Sequence, residues 1–184
     1  MEKQAPASHF RTITPIAIAS MLSGMAALSY QATWQRVLSQ SIGADAISTA
    51  LVVAIFMAGL GLGAIWANRF LGRGRVARWI TRYALLEVAI GIFGMASVWI
   101  IRLANATTGA WSAGSLWLDI AVNFAVLIVP IFLMGMTSPI IVEIGKHRLE
   151  DFGRRAGLLY GLNILGAALG AALTGLVLIE VLGL

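Results

Sequence analysis

Five long runs of apolar residues, separated by short polar connections, follow one another along the chain. They lie at residues 13–30, 47–67, 83–101, 116–136 and 156–182. An α-helix rises about 1.5 Å per residue, so runs of this length suit a hydrocarbon core of about 30 Å. None shows the period-two alternation of a half-buried strand, and an open sheet leaves backbone groups unsatisfied in lipid. The pattern predicts an all-α fold, a polytopic transmembrane helix bundle of about five membrane-spanning helices.

The composition agrees with this fold and argues against an enzyme. Of the 184 residues, 59% are hydrophobic and only 11% are charged, which is too apolar for a domain whose surface faces water. The chain has no cysteine, its histidines His9 and His147 lie far apart, and no serine–histidine–acid set is visible. We assign residues 13–184 to a single transmembrane helical domain. We expect no catalytic residues, no metal site, no cofactor and no enzymatic activity.

The basic residues predict the orientation of the chain. Eleven of the thirteen lysines and arginines lie in residues 1–12, 69–82 and 143–155, and the opposite connections hold Arg36 and Arg102. The positive-inside rule places the short N-terminal tail, residues 1–12, in the cytoplasm and the C-terminus outside after five crossings. We expect an integral protein of the bacterial inner (cytoplasmic) membrane.

The connection between the second and third runs is strongly basic. Its five arginines are Arg69, Arg73, Arg75, Arg78 and Arg82. Such a connection fixes topology, binds anionic lipid or attaches a cytoplasmic partner, and the residues alone leave these three roles open. Because insertion rules and headgroups explain the net charge of +5, nucleic acid is not an expected partner. The expected partners are the lipid bilayer and other membrane helices.

The positions of the tryptophans agree with these span limits. All six lie near predicted span ends, where an amphipathic ring prefers the headgroup region: Trp34, Trp66, Trp79, Trp99, Trp111 and Trp117. We therefore expect them in two interfacial belts.

Glycines recur at helical spacing in two of the runs. Gly59 and Gly63 lie four residues apart in the second run, and Gly166 and Gly170 do so in the fifth, preceded there by a second pair at positions 157 and 161. Small residues at this spacing let helix backbones approach closely in a membrane. The segment Gly59-Leu-Gly61-Leu-Gly63 also resembles the start of a dinucleotide-binding pattern, but it lies inside a membrane helix with no strand before it. We interpret these glycines as helix-packing positions.

Three polar residues lie within the apolar runs and form a possible intramembrane polar site: Glu87, Asn123 and Asn163. A carboxylate in lipid is costly unless it is paired, protonated or facing water, so Glu87 should point into the bundle. Arg82 and Asn123 are its candidate partners. Glu87 is either a structural, hydrogen-bonded acid or a group that relays protons or binds a cationic substrate. The asparagines are expected to form hydrogen bonds between helices.

Several segments together resemble a known family. They are Ser23-Gly24, Tyr30-Gln31-Ala-Thr-Trp34-Gln-Arg36, Phe56-Met57-Ala-Gly59-Leu-Gly61-Leu-Gly63, Glu87 with Gly91, Pro130-Ile-Phe-Leu-Met134-Gly135-Met-Thr137-Ser-Pro139, and the stretch from Gly153 through Tyr160 and Asn163 to Gly170. In this order they resemble the membrane region of the membrane-fused spermidine synthase-like proteins. The resemblance covers most of residues 20 to 184.

In that family the membrane helices precede a soluble aminopropyltransferase domain, which binds decarboxylated S-adenosylmethionine and a polyamine. This chain stops where relatives would continue, and it shows no strand, glycine loop and helix unit to hold the nucleoside, so no residue here inherits that chemistry. Our leading hypothesis is a non-catalytic membrane module, a structural or accessory subunit of a larger membrane assembly. The alternative is a small transporter or a transporter half of major-facilitator type, which the glycine-rich second helix and its arginine-rich connection also resemble.

Overall fold

The computed structural model describes residues 7–42, 45–70, 76–112, 116–146 and 152–182, and all of these are helical. The elements are α1 (Ala7–Ile42), α2 (Asp45–Phe70), α3 (Val76–Ser112), α4 (Leu116–Lys146) and α5 (Phe152–Leu173). After α5 the chain continues through a π-helical segment (Thr174–Leu178) into a short α6 (Ile179–Leu182). The described residues contain no strand, so the predicted all-α fold is confirmed.

Four helical segments are long and apolar enough to cross a membrane, and they make this chain an integral membrane protein. They are Ala46–Ala67, Arg78–Thr107, Trp117–Ile144 and Ala156–Val181. The side chains of α1 are described only from Pro15 onward, and this described part is not among the four segments. The first predicted crossing, residues 13–30, therefore remains a prediction.

The helices extend beyond the apolar runs that predict them. The third run is residues 83–101, yet α3 covers Val76–Ser112, and α4 continues ten residues past the predicted end at position 136 to Lys146. Pro139 lies inside α4 without ending it. Proline removes one intrahelical hydrogen bond, a loss that neighbouring helices in a bundle can offset. Hydrophobic run length thus underestimates the length of these helices.

Contacts between the odd-numbered helices show that they run in the same direction. Residue numbers rise together along both interfaces of α1: Met21 with Gly166 and Met25 with Gly170 on α5, and Ala19 with Tyr83 and Trp34 with Ser97 on α3. The helix α1 therefore lies between α3 and α5, parallel to both.

The even-numbered helices run the other way. Gly59 lies against Ile131 and Gly63 against Gly135, so α2 and α4 are parallel to each other. Along α3 and α4 the numbers run in opposite senses: Asn105 is hydrogen-bonded to Asn123, whereas Trp79 packs against Ile140 and Ile144. Successive helices thus alternate in direction, as successive membrane crossings would. We call the end of the bundle that holds Arg69, Arg78 and Arg82 the basic end.

Two hydrophobic clusters hold the bundle together. The larger surrounds Trp34 and includes Val37, Leu38, Val52, Ile55, Phe56, Ile90, Ile101, Leu127, Ile131 and Met134. The smaller lies toward the basic end, where Trp79 packs with Ile140 and Ile144. Residues from α1, α2, α3 and α4 meet in the larger cluster, so it fixes the arrangement of these four helices.

The alternating directions lead to a topology prediction. Single cysteines introduced at Gly74, Ser112 and Leu184 are expected to react with an impermeant maleimide in intact cells at the last two positions only, because the basic end should face the cytoplasm. The absence of native cysteine removes background labelling. Permeabilised cells serve as the control, in which all three cysteines should react. Labelling of the Gly74 variant in intact cells would overturn the topology.

Candidate intramembrane polar site

Glu87 faces α1 and lies among hydroxyl groups. Its carboxylate is within hydrogen-bonding reach of the Tyr83 hydroxyl and interacts electrostatically with the Tyr30 hydroxyl. The Tyr83 hydroxyl is also near the Ser23 hydroxyl and lies 3.4 Å from the carbonyl oxygen of Ala19. One carboxylate oxygen of Glu87, Oε1, is buried and has no hydrogen-bond partner among the described residues. We call these side chains (Ser23, Tyr30, Tyr83, Glu87) the carboxyl–phenol cluster.

The structure separates Asn123 from Glu87. The amide nitrogen of Asn123 donates to Oδ1 of Asn105 at 2.7 Å and to the carbonyl oxygen of Asp119 at 2.8 Å. Both contacts lie near the end of the bundle opposite the basic end, far from Glu87. Asn123 is fully buried and joins α3 to α4. The other candidate partner of Glu87, Arg82, places its guanidinium 4.9 Å from the centre of the Trp79 ring.

Asn163 links α5 to α1. Its amide nitrogen donates to the carbonyl oxygen of Ser20 at 2.9 Å, and the Ser20 hydroxyl donates back to the carbonyl oxygen of Leu159 at 3.0 Å. Farther along, the Ser29 hydroxyl donates to the carbonyl oxygen of Gly170 at 3.2 Å. A helix whose side chains bond backbone carbonyls of its neighbour is held at fixed register. Polar groups of α1 therefore face both α3 and α5.

The glycines of α5 differ along its length. A Cβ placed on Gly166 or Gly170 would collide with the carbonyl oxygens of Met21 or Met25 on α1, so these two glycines lie directly against that backbone. Gly157 and Gly161, on the same helix, have no described atom within 4 Å of such a Cβ. The first pair packs against α1, whereas no described part of the chain packs against the second pair.

The glycines of α2 lie against α4. A Cβ on Gly63 would meet the carbonyl oxygen of Phe132 and, at 2.9 Å, the Cα of Gly135, and one on Gly59 would lie 2.7 Å from Cγ2 of Ile131. Gly135 completes this contact, since its own Cβ would lie 2.5 Å from the carbonyl oxygen of Leu60. Sequence reasoning did not single out Gly135 for packing. The available signal was that Gly135 is a small residue within an apolar run.

The structure describes the side chains of three of the five arginines in the basic connection. Arg69, Arg78 and Arg82 are exposed at the basic end, and the Arg69 guanidinium lies 5.7 Å from the Trp66 ring centre. Arg73 and Arg75 lie outside the described residues. The three described arginines form a positively charged rim.

The tryptophans expected in the interfacial belts differ in burial. Trp34 and Trp79 are 0% and 2% exposed, so their rings pack inside the bundle. The Trp34 ring stacks on Tyr30 at 5.6 Å and its Nε1–H donates to the Ser97 hydroxyl at 2.8 Å. Partners for the rings and for an indole N–H favour burial over the interface. Trp66, Trp99 and Trp117 are exposed, and the side chain of Trp111 lies outside the described ones.

The chemistry of the carboxyl–phenol cluster follows from its groups. A half-buried carboxylate inside a helix bundle is typical of membrane sites that bind cations or pass protons. In the described part of the chain, no three histidine, cysteine, aspartate or glutamate side chains come together to hold a metal ion. Sequence reasoning found Glu87 but missed Tyr30 and Ser23, because the parallel pairing of α1 with α3 is not visible in the sequence.

Comparison with known proteins gives one weak relationship. Polyamine aminopropyltransferase 2 of Streptomyces coelicolor is 27% identical to this chain over 163 residues, which cover 85% of this chain but 27% of that protein. No protein-family model matches the chain, and no solved structure does. The chain spans about a quarter of the length of the relative it matches. The similarity supports a spermidine synthase-like relationship loosely.

Proposed function

We propose that this chain is a non-catalytic helical module, a structural or accessory part of a larger membrane assembly. The similarity to polyamine aminopropyltransferase 2 supports this proposal, because the matched region covers nearly all of this chain and is a minor part of that protein. An assembly that includes an aminopropyltransferase is the form we favour. The module would contribute membrane attachment and a surface for further helices.

The observation that carries the proposal is one face of α5. Gly157, Gly161, Leu165, Ala168 and Ala172 follow one another at helical spacing, and all five are exposed. We call them the uncovered face. Glycine in a helix interior costs about 1 kcal/mol relative to alanine, and in membranes its use is close approach of another backbone. The opposite side of α5 already makes such an approach to α1. A second helix on the uncovered face would use the remaining small residues in the same way.

Association is expected to depend on this face. Purified in a mild detergent, the wild-type chain should appear by native mass spectrometry with its own copies or with a co-purifying membrane protein. Gly161→Leu should shift the distribution toward the monomer by at least several-fold, because a bulky side chain there keeps a second helix at a distance.

Gly61→Leu is the matched control. Gly61 is also exposed and has no described atom within 4 Å, but it lies on α2, so its replacement should leave association unchanged. A cysteine at Ala168 should crosslink to the neighbouring helix in membranes. A stable wild-type monomer with no co-purifying protein and no crosslink from position 168 would contradict the proposal.

The carboxyl–phenol cluster favours a second candidate, a small transporter of a cationic solute. Oε1 of Glu87 is buried without a hydrogen-bond partner among the described residues, and a cation is a suitable ligand for it. Flux measurements on proteoliposomes separate the two functions. A cation flux that Glu87→Gln abolishes would favour transport, whereas flux equal to that of empty vesicles would favour the accessory module.

A further inference from the structure

A cavity lies between α2, α3 and α4 near the basic end. Its volume is about 320 Å³, and its wall includes Trp79, Arg82, Leu85, Leu86, Met136 and Ile140. Leu85 is 63% exposed on the outer surface of the bundle, so the cavity opens to the side that faces lipid. The carboxyl–phenol cluster contributes no side chain to this wall. The cavity is therefore separate from the polar site between α1 and α3.

The two ends of the cavity differ in chemistry. Arg82 lies four residues into the apolar segment Arg78–Thr107, about 6 Å from its start at 1.5 Å per residue, which is a depth close to the headgroup region. Leu86 lies about one turn deeper, and Met136 of α4 is opposite it. A charged end near the interface and an apolar end below it match the two parts of a phospholipid.

Trp79 supplies an additional donor in the wall. Its side chain is 2% exposed, and its Nε1–H is buried with no hydrogen-bond partner among the described residues. Buried N–H groups are nearly always hydrogen-bonded, so one left without a partner beside a cavity points to an acceptor from outside the chain. The Arg82 guanidinium is held over the same indole at 4.9 Å from the ring centre. The two groups together present donors to one ligand.

The charge at this end suits an anion. Arg69, Arg78 and Arg82 are exposed here, and Glu143 of α4 is the described carboxylate at the same end. Three guanidinium groups against one carboxylate leave a positive field. Arginine binds phosphate through several N–H donors at once, and interfacial arginines are attracted to anionic lipid.

We propose that this cavity binds an anionic phospholipid. The phosphate is bound by Arg82 and the Trp79 N–H, and an acyl chain lies along Leu85, Leu86 and Met136. A lipid suits the cavity better than free phosphate because most of the wall is apolar and its opening faces the bilayer.

Native mass spectrometry of the full chain in detergent tests this site. The wild type is expected to retain phosphatidylglycerol at about tenfold lower added concentration than phosphatidylcholine of the same acyl length. Arg82→Gln should remove most of this preference, and Trp79→Phe, which keeps the ring and deletes the N–H, should reduce it by several-fold. Arg102→Gln is the matched control: it removes an exposed arginine of the same helix that lies at the opposite end of the bundle and does not line the cavity.

Three outcomes would overturn the proposal. The wild type shows no preference for phosphatidylglycerol, Arg82→Gln and Trp79→Phe both keep the preference, or Arg102→Gln loses as much of it as Arg82→Gln does. Glycerol phosphate, the soluble headgroup, is the additional probe. If it displaces phosphatidylglycerol at a concentration equal to that of the lipid, the site recognises the phosphate group alone and the lipid proposal is wrong. Thermal unfolding of each variant shows whether a loss of binding is a loss of fold, and Trp79→Phe keeps the test open if Arg82→Gln unfolds.

Discussion

Replacing Trp34 with alanine is expected to destabilise the folded chain by about 3–5 kcal/mol, the range found for large aromatic residues in cores. The side chain is 0% exposed and its ring contacts Tyr30, Phe56 and Phe93 at centroid distances of 5.6, 5.9 and 6.1 Å. In a membrane the transfer from water contributes little, but the lost packing contacts remain. Thermal unfolding in mild detergent measures the effect.

Two further variants show how much of this loss of stability comes from the buried ring of Trp34. Trp34→Phe keeps an aromatic ring and deletes the N–H that donates to Ser97, so it should cost less, about 0.5–1.5 kcal/mol for the hydrogen bond plus the smaller ring. Trp99→Ala is the matched control, because Trp99 is 78% exposed on α3 and its loss should change stability by less than about 0.5 kcal/mol. Equal melting temperatures for Trp34→Ala and Trp99→Ala would show that the cluster around Trp34 does not hold the bundle together.

Replacing Gly63 or Gly170 with leucine is expected to cost on the order of 1–3 kcal/mol or more by overpacking. Even a Cβ at Gly170 would collide with the carbonyl oxygen of Met25, and one at Gly63 with that of Phe132, so the helix backbones must separate. Gly61→Leu has the same chemistry without the collision and should leave the melting temperature in detergent nearly unchanged. Wild-type stability of both packed variants would mean that these helix pairs do not pack as closely as described.

The sequence predicts the helices well because their apolar runs are long. It predicts α1 less completely: the apolar run ends at Tyr30, yet the helix continues to Ile42. The added stretch contains Gln35 and Arg36, and its polar residues are typical of a connection between two membrane spans. A helix in a bundle needs only one apolar face, however, and Trp34 lies in the core while Arg36 is exposed.

Which helices contact each other is harder to predict from the sequence than where each helix begins and ends. Lipid-facing and protein-facing residues are both apolar, so hydrophobicity does not distinguish the faces of α3 or α5. Small residues are the remaining signal, and they are ambiguous. Gly161 and Gly166 look alike in the sequence, but Gly166 lies against α1 and Gly161 is exposed. The partners of Glu87 were missed for the same reason, since Tyr30 becomes a neighbour only once α1 and α3 pair.

The position of α1 between α3 and α5 has a consequence for synthesis of the protein. Ser20 and Ser29 bond to residues 139 and 141 positions later in the chain, so these partners do not yet exist when the ribosome has made only the first helices. Contacts this distant in sequence form slowly, because the intervening chain must be ordered first. The pairs formed by α2, α3 and α4 can close during translation, whereas α1 keeps one side open until α5 emerges. Of the described helices, α1 is therefore made before the others and fully enclosed only after α5 has been made.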